Sequence, residues 1–79
     1  MLNVLVTSPE RVVCVCQARS VILPGERGTF EVLPLHRPLV SCLVDGVVEI
    51  DGKRLRIQRG VARVSEDDVV VIVELKGQK

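Results

Sequence analysis

Apolar side chains recur along this chain in short runs of period two, set between turn residues, and nowhere at the three-to-four spacing of an amphipathic helix. Val dominates the runs and Ala appears only at positions 18 and 62, a β-branched bias that suits a pleated, half-buried surface. A first strand reads from Leu2 to Thr7 and is broken by Ser8-Pro9-Glu10. One or two strands follow between Arg11 and Leu23, ended by Pro24-Gly25-Glu26-Arg27-Gly28, and another from Thr29 to Leu33, interrupted by Pro34 to Pro38. Val47–Ile50 and Lys53–Ile57 flank Asp51-Gly52, two residues that tolerate the positive φ angles of a type I′ hairpin turn. In the second arm Leu55 and Ile57 face the core, while Arg54, Arg56 and Gln58 face water. After a turn at Ser65-Glu66-Asp67-Asp68, the strand Val69 to Glu74 is nearly all aliphatic and reads as buried on both faces, or as an edge covered by something else. The polar tail Lys76-Gly77-Gln78-Lys79 is expected to fray. The pattern predicts one all-β domain over residues 1–79, a small flattened β-sandwich or barrel of about eight to ten short strands.

Length narrows the function. A chain of 79 residues buries about 60% of its unfolded surface, which leaves little material for both a core and a deep enzyme pocket. With 47% apolar residues it is too hydrophobic for intrinsic disorder, and a formal net charge of +1 exerts no global pull on nucleic acid or anionic lipid. The N-terminus lacks a basic region and its apolar run breaks within a few residues, so it does not read as a signal peptide. No stretch of 18 or more apolar residues is present. Three cysteines cannot all pair within one chain, which suits a reducing compartment better than a secreted disulfide scaffold.

Candidate chemistry is sparse. Cys14, Cys16, Cys42 and His36 number as many ligands as a closed zinc site needs, but Cys-x-Cys puts both side chains on one face of a strand and the usual Cys-x-x-Cys knuckle is missing. Cys14 and Cys16 read instead as small hydrophobes filling core positions among Val12, Val13 and Val15. His36, between Pro34 and Pro38, has no motif that supplies a nucleophile or an orienting group, and the Pro24–Gly28 loop lacks the Lys and helix start of a phosphate cradle. Lys53, Arg54, Arg56, Arg59 and Arg63 form a basic stretch without aromatics to stack bases, since Phe30 is alone; a solvated strand face is the expected explanation. No catalytic residue, cofactor or metal is assigned.

The order of segments resembles the N-terminal β-sandwich domain of the epsilon subunit of bacterial F-type ATP synthase, the delta subunit of mitochondria. The segments that carry the resemblance are Val6-Thr7-Ser8-Pro9-Glu10-Arg11-Val12, the long stretch Ser20 to Leu39 with Pro24-Gly25-Glu26-Arg27-Gly28-Thr29-Phe30 and Pro34-Leu35-His36-Arg37-Pro38, then Gly46–Ile50 and Gly60–Val64. Two positions depart from the family pattern: Leu35 stands where Gly usually precedes the histidine, and Arg59-Gly60 where a Gly pair is usual. Family members commonly add a C-terminal helical hairpin, and the resemblance here extends to the sandwich alone.

The resemblance implies a non-catalytic central-stalk subunit of a proton-translocating rotary ATP synthase, coupling the membrane rotor ring to the gamma subunit and the catalytic head. It implies gamma-facing positions at Ser8, His36, Pro38 and Ser41 and ring-facing positions at Glu26, Arg27, Gly28, Thr29 and Glu31, with Phe30 anchoring that loop in the core. The implied partners are the gamma subunit and the rotor ring, with no nucleic acid, and the implied location is the cytoplasmic face of the bacterial plasma membrane, reached only through the complex. The alternative from the residues alone is a stand-alone β-domain that binds nucleic acid or another anionic ligand through Arg54, Arg56, Arg59 and Arg63.

Overall fold

A computed structural model describes residues 1–76 of the chain, and all its regular elements are strands. These are β1 (Leu2–Thr7), β2 (Val12–Ala18), β3 (Val21–Gly25), β4 (Gly28–Val32), β5 (Leu39–Leu43), β6 (Gly46–Ile50), β7 (Lys53–Ser65) and β8 (Asp68–Leu75). Of the tail expected to fray, Lys76 is held by its N–H donating to the Arg56 carbonyl and its ammonium on the Asp45 carboxylate; residues 77–79 lie outside the described residues.

The hydrogen-bonded order is β2-β1-β8-β7-β5-β3-β4, with β6 paired to β3 and β7. β7 organises this path. Its first half pairs with β6 from Ile50↔Lys53 to Gly46↔Ile57, and its second half continues in the same register with β5, from Leu43↔Gly60 to Leu39↔Val64. One long hairpin therefore turns at Asp51-Gly52, whose φ angles of 47° and 85° are those of the expected I′ turn.

Midway the hairpin changes phase. In β5 the inward residues are Leu39, Ser41 and Leu43, and in β6 they are Gly46, Val48 and Ile50; in β7 they are Leu55 and Ile57, then Ala62 and Val64. The switch falls at Val44-Asp45 and Gln58-Arg59, where a register shift between β7 and β8 also lies. A strand pair that flips faces once can give one half to each layer of a sandwich. The smaller layer is β4-β3-β6-β7 and the larger is β5-β7-β8-β1-β2.

Gly60 is set by this crossing. A Cβ there would lie 2.5 Å from the Ile72 carbonyl oxygen, so only Gly lets β7 and β8 close at the junction. The core between the layers is the set of inward residues from every strand, with Leu2, Val6, Ala18, Val21, Leu23, Val32, Val48, Ile57, Ala62, Val69 and Val71 all at 0% exposure.

Two readings of the sequence are corrected. β8 is neither buried on both faces nor an edge: it lies between β1, to which it is parallel, and β7, and its outward residue Ile72 is 50% exposed. Val12 and Val15 are not core residues, at 60% and 73% exposure: Val15 alternates outward between the inward Cys14, Cys16 and Ala18, and the register shift at Val13 sets Val12 opposite the outward Thr7.

Candidate interaction surfaces

The two layers present outer faces of different chemistry. On the larger layer, register places Val15, Leu5, Val70, Arg63 and Val40 in one row across β2-β1-β8-β7-β5, and Thr7, Ile72, Val61 and Cys42 in the next. Val15, Val40, Val61 and Ile72 are exposed and Leu5 and Val70 half-buried, so the face is largely apolar, interrupted by the exposed Arg63 and bounded by the Arg59–Glu74 pair. A shallow groove at its end joins Pro9 to Cys42, Val61 and Ile72. Contiguous exposed apolar area is the kind of surface by which proteins contact partners.

On the smaller layer the corresponding row runs Glu31, Ile22, Glu49 and Arg54 across β4-β3-β6-β7, next to Thr29 and Pro24. Its charges are paired: Arg54 lies 3.9 Å from Glu49 and Arg56 3.7 Å from Asp45. The Lys76 hydrogen bond, with Lys76 and Arg56 as neighbouring charges, holds the Asp45 carboxyl below the usual carboxylate range. Arg59, by contrast, pairs with Glu74 at 3.2 Å and shares the larger layer with Arg63, because the phase change separates it from Arg54 and Arg56. The basic stretch of the sequence is thus divided between two faces, and three of its members face carboxylates.

The β3–β4 hairpin ends in an exposed polar tip. Glu26, Arg27, Gly28 and Thr29 are all exposed at its tip, with Gly28 at φ 122°. Phe30 is half-buried against the core, as expected for an anchor, and its ring lies where a Cβ on Gly25 would come within 2.8 Å of it. Glu31 sits on the same outer face farther along β4, where its carboxylate accepts a 2.5 Å hydrogen bond from the Ser20 hydroxyl.

The residues expected to face one partner are dispersed. Ser8 is 8% exposed and closes the β1–β2 turn, its Oγ accepting from the Arg11 N–H at 3.3 Å and donating to the Arg11 carbonyl at 3.2 Å. Ser8 therefore shapes the turn that displays Pro9 and Glu10. His36 lies beyond the other end of β1, roughly 17 Å away along the strand, in a loop fixed by the Leu35 N–H donating to Asp67 Oδ1 at 3.0 Å. Its half-buried ring stands with Nδ1 2.7 Å from the Arg37 carbonyl, which requires Nδ1 to donate and leaves Nε2 as the other ring nitrogen. Pro38 is exposed just before β5. Ser41 is half-buried on the inward side of β5, where it shares a groove of about 460 Å³ with Gly25–Phe30 of the β3–β4 hairpin. Ser8 and the His36–Pro38 loop stand at the two ends of the apolar face, while Ser41 points to the other side of its edge strand; Val40, Val61 and Ile72 line the face.

The sequence reading missed those three. The signal was present in β8, where apolar residues fill every position from Val69 to Val73, but an apolar outward row resembles a doubly buried strand until its neighbours are known.

Residues 1–75 match the family described as ATP synthase, Delta/Epsilon chain, beta-sandwich domain. The chain is 40% identical over 78 residues to the ATP synthase epsilon chain of Nitratiruptor sp. and 36% identical over 77 residues to that of Leptospira borgpetersenii, in each case over 92% of its own length. It spans about three fifths of those relatives, 60% and 61% of their lengths. Among solved structures it superposes on a chain of the Tetrahymena thermophila mitochondrial ATP synthase central stalk and c-ring with TM-score 0.80, 8% identity and 92% of this chain covered, 63% of that one. The match to a chain of the Euglena gracilis mitochondrial ATP synthase has TM-score 0.81 and 20% identity, covering 91% and 49%.

Proposed function

Because this chain belongs to the β-sandwich family of ATP synthase delta and epsilon chains, we propose that it is a non-catalytic part of the rotor of a proton-translocating ATP synthase. In this reading it couples the membrane rotor ring to the gamma subunit and, through it, to the catalytic head. It sits at the cytoplasmic face of the bacterial plasma membrane through the complex alone; among the described residues no helix is long and apolar enough to cross a membrane.

The observation that carries the reading is the pairing of an apolar outer face with a separate polar hairpin tip on one stiff body. Torque transmission needs two contact surfaces that do not deform relative to each other, and a closed sandwich supplies that stiffness. The face of Val40, Val61 and Ile72, bordered by Pro9 at the Ser8 turn and by the His36-Pro38 loop, with Ser41 reached around the edge of β5, is suited to a permanent subunit contact such as gamma. Interfaces of that kind are more apolar than transient ones. Glu26, Arg27, Gly28 and Thr29, with Glu31 behind them, are suited to the polar loops of a rotor ring. Exposed ion pairs there contribute about 0–1 kcal/mol each, so shape must supply most of that contact.

Calorimetric titration of the chain into the cognate gamma subunit, at low and moderate salt, tests this. Saturable one-to-one binding with little salt dependence, weakened by His36→Glu or Ser41→Arg more than by Arg56→Glu, is the expected result. Absence of binding between folded partners overturns the stalk reading, and affinity that collapses with salt moves the basic residues to the front.

A further inference from the structure

β2 holds two thiols that neither interaction surface uses. It is an edge strand, paired with β1 alone among the described residues. Cys14 lies opposite Val6 and Cys16 opposite Val4, both core residues, so the two thiols point to the inner side of the sheet at its open margin. Both are half-buried, and their sulfurs are 3.5 Å apart in a thiol–thiol hydrogen bond. The period of the strand produces this pair, since residues two apart share a face. Cys42 is exposed on the outer side of β5, at the opposite margin of the layer, and cannot join them.

We propose that Cys14 and Cys16 form a preorganised dithiol site for trivalent arsenicals. Two sulfurs held about 2.3 Å from a tetrahedral metal ion lie roughly 3.8 Å apart, and a pyramidal centre with narrower angles draws them closer. The observed 3.5 Å falls between these demands, so the pair closes on such a centre with little more than a side-chain rotation.

Donor number and charge favour arsenic over a metal ion. Among the described residues no third His, Cys, Asp or Glu gathers with this pair, whereas a structural zinc requires four protein ligands. An organic arsenoxide needs only two sulfurs beyond its own carbon. Its bis-thiolate product is neutral, which suits a place where burial first, and the neighbouring Cys14 thiol second, push the Cys16 thiol up. The step balances without redox change: two As–S bonds form, the As–O bonds break, and both thiol protons leave with the oxygen as one water. A disulfide is the poorer outcome, because residues two apart on a strand have Cα atoms about 6.7 Å apart, at the upper limit for bridging.

The test is titration of the intact chain with phenylarsine oxide under reducing, metal-free conditions, followed by mass spectrometry and thermal melting. One adduct per chain, gained with loss of one water, is expected. The dithiol 2,3-dimercaptopropanol should reverse it, and an equal excess of a monothiol should not. Cys14→Ala and Cys16→Ala should each lower affinity by roughly a hundredfold, since the second sulfur acts at high effective concentration, and Cys42→Ala should leave it unchanged. Saturation should raise the melting temperature, because the folded strand presents the pair ready-made. An adduct that Cys42→Ala removes, ready reversal by monothiol, or a lowered melting temperature overturns the proposal. None of these outcomes depends on gamma binding.

Discussion

The outer faces of the two layers are built by the same strand pattern and end with opposite chemistry. On the larger layer the outward positions of β2, β5, β7 and β8 hold Val15, Val40, Val61 and Ile72, all exposed, with Arg63 among them and the Arg59–Glu74 pair at the border. On the smaller layer the outward positions hold Thr29, Glu31, Glu49, Arg54 and Arg56, with only the half-buried Ile22 and Val47 between them. Inward positions are alike in both layers, because burial between sheets demands aliphatic side chains wherever it occurs. Outward positions answer to solvent unless something covers them. The difference between the faces therefore speaks of partners, while the likeness of the inner faces speaks of folding.

The comparison depends on the crossing that separates the layers, and the largest expected effect lies there. Gly60→Ala puts a methyl group against the Ile72 carbonyl at the junction of β7 and β8. Neither strand can move away without disturbing the pairing on its other side. A loss of about 3 kcal/mol is expected from such overpacking, read as a lowered urea midpoint with the slope unchanged.

The faces themselves are compared by charge insertion. Ile72→Glu on the apolar face should lower affinity for gamma at least roughly tenfold, or about 1.4 kcal/mol. Folding stability should hold, because the side chain is already half in water. Glu31→Lys on the polar face should leave gamma affinity within about twofold, since exposed charges change a shape-matched interface little. Titration calorimetry with both variants reads the contrast, and equal losses would erase the distinction between the faces.

A smaller effect is expected at the end of the larger layer. Leu35 adopts φ 68° and is 91% exposed, so it bears left-handed strain with almost no packing in return. That conformation costs an L-residue about 1–2 kcal/mol, and glycine's extra unfolded-state entropy takes back part of the relief. Leu35→Gly should raise stability by about 0.5–1 kcal/mol, seen as a few degrees in the thermal midpoint.

Most inward positions were legible in the sequence because period two survives within each strand; Leu2, Val4, Val6 and Leu55, Ile57 are plain instances. Asp51-Gly52 was legible because few residues accept its two positive φ angles. The phase change in β7 left a trace, Leu55 and Ile57 against Ala62 and Val64, but one skipped position also occurs within loops, and only the partners in β5 and β6 distinguish a crossing from a break. The parallel contact of β1 with β8 joins the two ends of the chain, and nothing local encodes it. For the same reason Ser8 and His36, alike in being near prolines, gave no sign that the full length of β1 separates them.

The smallest expected effect concerns the corner where the faces meet. Asp45 stands in the phase change, and its carboxylate accepts a hydrogen bond from the Lys76 ammonium with Arg56 3.7 Å away. This hydrogen bond above all, with both charges adding to it, lowers the Asp45 pKa on folding. A lowered folded pKa gives stability that is present above the ordinary carboxylate value of 3.8 and is lost as pH falls through the folded value. Wild type should therefore exceed Asp45→Asn slightly in thermal midpoint near neutrality, the gap closing in acid below that range. Because the site lies in water, salt should narrow the gap as well. A gap that persists unchanged into strong acid would assign Asp45 a role in the bend of the β5–β6 strand itself, and would make the corner, rather than its charges, what holds the two faces apart.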